Sequence, residues 1–169
     1  LIGPNGSGKS TIMKAIMRLV PIQAGNILID GRALSGPDLY EKVAFIPDRL
    51  TMPPGMKLSE AMRFMRDFHR NWNEARGREL MAFFRLDASE RIGNLSKGTA
   101  AKFNLVLGFA QETDYVLMDE PLGALDKNLR EEMQDEIKQF HAKIGTTIIY
   151  VTHDQHEAAA MADRTAVLN

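Results

Sequence analysis

Gly3-Pro4-Asn5-Gly6-Ser7-Gly8-Lys9-Ser10 fits the pattern G-x-x-x-x-G-K-[ST] in full, between an apolar strand end at Leu1-Ile2 and a helical stretch. Glycines let such a loop curl until consecutive N–H groups face a chain of phosphates, and the helix that follows adds its positive end. In this pattern Lys9 reaches the β- and γ-phosphates as a point charge, Ser10 offers a hydroxyl to Mg²⁺, and Thr11 completes the stretch. The plain alternative is a glycine-rich turn with an incidental lysine. The full pattern in this context reads instead as a nucleoside triphosphate site.

A second cluster lies where four apolar residues, Tyr115 to Met118, run into Asp119-Glu120 and Pro121 stops the strand. A carboxylate at the end of a buried strand holds Mg²⁺ in phosphoryl transfer, a role that falls to Asp119. Glu120, one residue on, points elsewhere and could polarise the attacking water. Without the phosphate loop these would be two acidic residues at a strand boundary. His153 follows the β-branched run Thr147 to Thr152 directly, at the carboxyl end of a parallel strand where ligands bind in such sheets. There it could hydrogen-bond the γ-phosphate and orient water, or be a satisfied strand-end histidine. His69, His141 and His156 have no such placement and read as surface residues.

The elements that must position these groups alternate at both ends of the chain. Ile12, Ile16 and Leu19 stand at helical spacing within Gly8–Val20, and Asn26 to Asp30 alternates like a short strand ending at Gly31. Val43 to Ile46 is an apolar run stopped by Pro47. Ser59 to Phe84 is helical, with Ser59 and Asn73 as N-caps and Gly77 as a weak spot. A further helix follows Gly98 through Phe103, Val106 and Leu107, and another shows Leu129, Met133, Ile137 and Phe140 on one face. Thr146 to Thr152 and Thr165 to Leu168 read as the last strands. Strands alternating with helices predict an α/β fold, a mostly parallel sheet with crossover helices and a helical insertion in the middle.

The motifs together resemble the ATP-binding cassette (ABC) family, the ATPase domains of ABC transporters. Leu95-Ser96-Lys97-Gly98-Thr99 resembles its LSGGQ signature. Met118 to Asp126 resembles Walker B running into the D-loop, and Val151-Thr152-His153-Asp154 the switch-histidine segment. Their order and gaps match the family over essentially the whole chain. The resemblance implies a P-loop NTPase, RecA-like core with an inserted α-helical subdomain. Residues 1–48 are then the first part of the core, 49–110 the helical subdomain ending in the signature helix, and 111–169 the second part of the core. It implies ATP and Mg²⁺ as cofactors, with Lys9, Glu120 and His153 catalytic and Ser10 and Asp119 on the metal. Ser96 and Gly98 open a helix, whose free N–H groups and hydroxyl can meet an anion. In the family that anion is the γ-phosphate held by the other subunit of a head-to-tail dimer.

Two departures stand out. The signature has Lys97 for the usual Gly and Thr99 for the usual Gln, while the loop after the Val43–Ile46 strand has Asp48 where the family has its Q-loop Gln. Asp48 either serves Mg²⁺ through water or is a turn residue after proline. Pro47-Asp48-Arg49 and Lys97 look like exporter-type ATPases, whereas Leu122 to Asp126 and Thr152 to Gln155 look like solute importers.

Composition sets outer limits. The 169 residues are 44% hydrophobic and 25% charged, ordinary for a folded domain, and their apolar runs fall far short of a membrane span. The absence of cysteine excludes disulfide scaffolds and thiolate sites and fits a cytosolic setting. With the chain opening on the glycine-rich loop, no signal peptide is expected. The net charge of −1 hides a split: Arg49 to Lys102 carries eleven basic and six acidic residues, the remainder ten basic and sixteen acidic. Arg63, Arg66, Arg70, Arg76 and Arg78 read as a solvated face, and Met62, Met65 and Phe68 as packing. No nucleic-acid partner is expected, because aromatic interleaving and overall basicity are missing.

The resulting expectation is an ATP-hydrolysing subunit that powers transport through a separate transmembrane permease. It pairs with a second ATP-binding subunit and lies peripherally on the cytoplasmic face of a bacterial membrane. The alternatives are a non-transport ABC ATPase acting on DNA or ribosomes, or a regulatory ATP-binding module with little turnover. The resemblance also implies chain before Leu1 and after Asn169, so the sequence is read as a fragment.

Overall fold

Near-continuous apolar runs at Val43–Ile46 (β1), Tyr115–Asp119 (β2) and Thr147–Val151 (β3) pair in parallel in the order β1-β2-β3, in a computed structural model that describes residues 1–168. Val43 stands opposite Tyr115 and Tyr115 opposite Thr147, and the register continues to Asp119 beside Val151. Such runs belong to a sheet buried on both faces. On one face Met13, Met17 and Leu39 close over Val43, Leu117 and Val151. On the other, Ala44, Ile46, Val116, Met118 and Tyr150 lie under a larger core with Leu80, Phe103, Phe109 and Phe140.

The helices are Lys9–Ile16 (α1), Pro37–Lys42 (α2), Leu58–Phe68 (α3), Glu74–Phe83 (α4), Lys97–Phe109 (α5), Lys127–Ile144 (α6) and Gln155–Met161 (α7). The three between β1 and β2 are α3, α4 and α5. Helix α5 packs so closely on β1 that a Cβ at Gly108 would lie 2.3 Å from Ile46 Cγ1. Ser96 caps α5, accepting from the Thr99 amide at 3.1 Å, and Asn73 caps α4 as expected by accepting from the Arg76 amide at 2.8 Å. Met133, Ile137 and Phe140 form the buried stripe of α6, with Leu129 half-buried. No helix among the described residues is long and apolar enough to cross a membrane.

Several local expectations are corrected. The α1 helix stops at Ile16, and its inward face is Lys9 and Met13, with Met17 just beyond; Ile12 and Leu19 are exposed. Asn26 to Asp30 forms no strand: Ile29 and Arg32 exchange hydrogen bonds across a turn in which Asp30 and Gly31 both have positive φ. That segment pairs with itself and not with the sheet. Ser59 does not cap α3, which opens one residue earlier; Lys57 is the cap, and its amide donates to the Glu60 carboxylate at 2.8 Å. The helical run from Ser59 to Phe84 is broken at residues 69–73. Gly77 is a packing position as much as a weak spot, since a Cβ there would lie 2.9 Å from Met62 Cε.

His69 and His141 are half-buried and not fully exposed, His141 against the Thr146 carbonyl at 2.7 Å. Burial lowers the His69 pKa. Of the five arginines, Arg76 lies mostly inside the surface, paired with Glu112 at 3.1 Å. Phe68 is outward-facing, stacked on Phe64. Thr165 to Leu168 forms no separate strand. It lies beside Ile2, which bridges Thr152 on one side and Val167 on the other, so Leu1-Ile2 extends the sheet past β3.

Candidate functional site

The loop Gly3–Thr11 sits at the carboxyl end of that extension. Gly8 adopts φ +92° immediately before α1, a left-handed conformation that glycine takes without steric cost. Gly3 has no room for a side chain: a Cβ would lie 2.6 Å from the Leu168 carbonyl oxygen and 2.7 Å from Ser7 Oγ. Pro4 accepts from the Ser7 amide at 3.2 Å, closing the turn. Asn5, Gly6, Gly8, Lys9, Ser10, Thr11 and Glu120 line a cavity of about 280 Å³.

Lys9 is 4% exposed, yet among the described residues its ammonium finds only the carbonyl oxygens of Gly3 and Pro4, both at 2.9 Å, and Glu120 at 3.7 Å. A buried lysine held by its own loop is placed to exchange those carbonyls for an anion. Ser7 Oγ is buried with no partner, an unpaired donor inside the same loop. Both features fit a phosphate chain.

Ser10 and Asp119 come together from opposite ends of the chain, the hydroxyl donating to Asp119 Oδ1 at 2.9 Å. Asp119 is 6% exposed at the end of β2, and this burial raises its pKa against the opposing Ser10 bond. The neighbouring charges of Glu120 and Asp48 raise it further. An alcohol and a carboxylate are a hard oxygen set suited to Mg²⁺, which takes one or two carboxylates plus substrate phosphates. Among the described residues no group of three or more His, Cys, Asp or Glu side chains could hold a metal alone.

Glu120 has φ +47°, held there by its amide donating to Val151 at 3.0 Å. The kink takes its side chain off the line of Asp119 and into the cavity. One oxygen lies 3.0 Å from His153 Nδ1, the other 3.7 Å from Lys9. The structure therefore brings Lys9, Ser10, Asp119, Glu120 and His153 to one edge of the sheet.

Three candidate residues stand apart. Asp48 is exposed, with Arg49 3.7 Å away as its ion-pair partner, and it reaches Asp119 through charge and not contact. Asn104 of α5 holds the carbonyl of Pro47 beside it at 2.8 Å. Ser96 is exposed at the start of α5, bonded to Thr99. Gly98 is buried, and a Cβ there would lie 2.6 Å from Leu129 Cδ2. Among the described residues no hydrogen bond joins Ser96 or Gly98 to the phosphate loop.

The supporting groups are the ones pattern reading misses. Glu157 is 5% exposed and accepts from the hydroxyls of Tyr150, at 2.7 Å, and Thr152, locking the end of β3 to α7. Burial, reinforced by that carboxylate, pushes the Tyr150 phenol pKa up. Asp154-x-x-Glu157 is a capping-box spacing and so a usable signal, but Glu157 turns inward to β3. Arg130 joins Asp154 at 3.3 Å to the Leu125 carbonyl at 2.9 Å, with no spacing rule to announce it.

The chain is similar to known proteins. The Fe(3+) ions import ATP-binding protein FbpC of Streptomyces coelicolor is 35% identical over 174 residues, 99% of this chain and 50% of that protein. The spermidine/putrescine import ATP-binding protein PotA of Thermotoga maritima is 33% identical over 175 residues, 100% of this chain and 48% of that protein. The chain thus spans about half the length of the curated relatives it matches. A solved ATP-binding subunit of an ABC transporter superposes with a TM-score of 0.83 at 28% identity, over 99% of this chain and 72% of that one. The ABC transporter family model matches residues 1–123, and with the P-loop fold already evident this chain belongs to the ABC transporter family.

Proposed function

We propose that the chain is the ATP-hydrolysing part of an importer's ATP-binding subunit. The observation that carries this reading is the convergence of Lys9, Ser10, Asp119, Glu120 and His153 at one edge of the sheet, through the Ser10–Asp119, Glu120–His153 and Lys9–Glu120 contacts. Residues 1–48 and 111–169 form the catalytic core, and 49–110 form the helical subdomain that carries Ser96 and Gly98 to a second subunit. Import is favoured over export by the printed names of the iron and polyamine relatives.

Gly3 to Thr11 wrap the phosphates, and Lys9 leaves the Gly3 and Pro4 carbonyls for the β- and γ-phosphate oxygens. Ser10 and Asp119 would hold Mg²⁺, with Asp48 reaching it through water, and the ion would neutralise charge developing on the phosphates. Glu120 orients the attacking water and takes up its proton. His153 steadies Glu120 through Nδ1 and presents the rest of its ring to the γ-phosphate. Ser96 and the N-terminus of α5 approach that phosphate from the partner subunit, so closure buries ATP between two chains. The permease partner holds this assembly peripherally at the cytoplasmic face of the membrane.

The deciding experiment is phosphate release from Mg²⁺ATP by the purified full-length protein. Release that disappears in Lys9→Ala supports the reading. ATP-dependent dimerisation without any release overturns it in favour of a regulatory module.

A further inference from the structure

We propose that Arg130 is the positioning residue for His153, tying it to the turn 122–126 that follows Glu120. The inference rests on the reading of His153 as the group facing the γ-phosphate. Arg130 occupies the first turn of α6, where the positive end of the helix dipole disfavours a cation. What holds it there is geometry. One guanidinium nitrogen donates to the Leu125 carbonyl at 2.9 Å, and the other meets Asp154 Oδ2 at 3.3 Å. Its Nε is buried without a partner, so the group is fixed by these two contacts.

Asp154 is well placed to transmit that hold. Its other oxygen caps α7, accepting from His156 at 2.8 Å and Glu157 at 3.3 Å, and its own amide donates to Thr152 Oγ1 at 3.0 Å. The backbone amides of Glu157 and His156 keep its carboxyl pKa low, with Arg130 adding to the effect. Both neighbours of His153 are thus pinned, and among the described residues the ring itself makes one hydrogen bond, to Glu120. Among the described residues no other hydrogen bond links residues 152–154 to the turn 122–126. With side chains 27% and 31% exposed, the Arg130–Asp154 pair is too wet to matter much for stability, which leaves position as its contribution. The planar fork holds its donors at the fixed spacing that joins the carbonyl to the carboxylate, a spacing the compact ammonium of a lysine does not reproduce.

The test is a double-mutant cycle in the full-length protein: Arg130→Met, His153→Ala and both together, with Arg130→Lys as a second variant and thermal melting as the check on folding. Arg130→Met is expected to lower kcat about 10-fold and leave KM for ATP within about twofold, because a small displacement of a reacting group is costly while the phosphate loop is untouched. In the His153→Ala background the same change is expected to cost nothing further, because Arg130 acts through that residue. Arg130→Lys should fold as wild type and still fail to restore kcat. Unchanged kcat in Arg130→Met, or a full additive loss in the double variant, overturns the proposal. A separate readout is the ring signal of His153 in protein labelled at histidine, without nucleotide. It should shift or broaden in Arg130→Met, and an unmoved signal overturns the inference. Turnover unaffected by His153→Ala overturns instead the role given to the histidine, with the ring signal still deciding whether Arg130 positions it.

Discussion

Ser10 and Asp119, separated by 109 positions in the chain, meet across a 2.9 Å hydrogen bond between the first turn of α1 and the end of β2. The bond closes the phosphate loop against the sheet and pairs the two oxygens proposed to hold Mg²⁺. Ser10→Ala leaves a buried carboxylate short of a donor, at a cost of about 1 kcal/mol. Chemical denaturation should register that loss, and titration of ATPase activity with Mg²⁺ should show a higher half-saturating concentration.

Asp119 gives a stability that depends on pH in a defined direction. Burial raises its carboxyl above the ordinary value of 3.8, so the folded chain holds this proton more tightly than the unfolded one. Its contribution favours folding fully below pH 3.8 and is lost as pH rises through the raised value. Asp119→Asn removes the penalty and can still accept the Ser10 hydroxyl. The variant should therefore melt at a higher temperature than wild type at neutral pH, with the gap shrinking towards pH 3.8, while ATP turnover collapses. A lower melting temperature at neutral pH contradicts the burial argument.

At Gly108 helix α5 approaches β1 with no room for a side chain. Gly108→Ala puts a methyl group 2.3 Å from Ile46 Cγ1 and should destabilise the fold by roughly 1–3 kcal/mol, as overpacked cores do. Ile46→Ala opens that space. The double variant should be less destabilised than the sum of the two single ones, a coupling that equilibrium unfolding measures directly.

Most of what governs the site was legible because the groups lie where strands end, and strand ends carry strong local signals. Pro47 and Pro121 stop β1 and the Asp119-Glu120 segment, and the β-branched run of β3 delivers His153. Segments whose partners are local were misread. Asn26–Asp30 has the alternation of a strand but spends its hydrogen bonds on its own turn. The Ile12, Ile16 and Leu19 stripe matched a helical period, yet α1 ends at Ile16 and turns Met13 and Met17 inward instead. Lys9 was legible as a phosphate ligand but not as a buried residue, since its burial follows from the loop folding back over it. The links from Arg130 to Asp154 and from Asn104 to Pro47 depend on elements far apart in the chain meeting, and nothing in their own neighbourhoods states where they go. Glu157 bonds only five and seven residues back, but its capping-box spacing announces a bond to its own helix and not to β3.

Ser96 has two separable roles. As the cap of α5 its loss should cost about 1 kcal/mol in the isolated subunit. As the proposed contact to the partner's nucleotide, its loss should also weaken ATP-driven dimerisation. Ser96→Asp keeps a capping oxygen but sets a negative charge against the γ-phosphate. It should melt close to wild type and fail to dimerise with ATP in analytical ultracentrifugation, separating the roles.

Glu120 is the group proposed to activate the water that attacks the γ-phosphate. Glu120→Gln preserves size and still offers an acceptor to His153, but cannot take up a proton. Steady-state ATP hydrolysis by the full-length variant should fall by about 10²–10⁴-fold, the range of a lost general base, with ATP retained in a stable dimer. Turnover equal to wild type, with no accumulation of the ATP-bound dimer, contradicts the account.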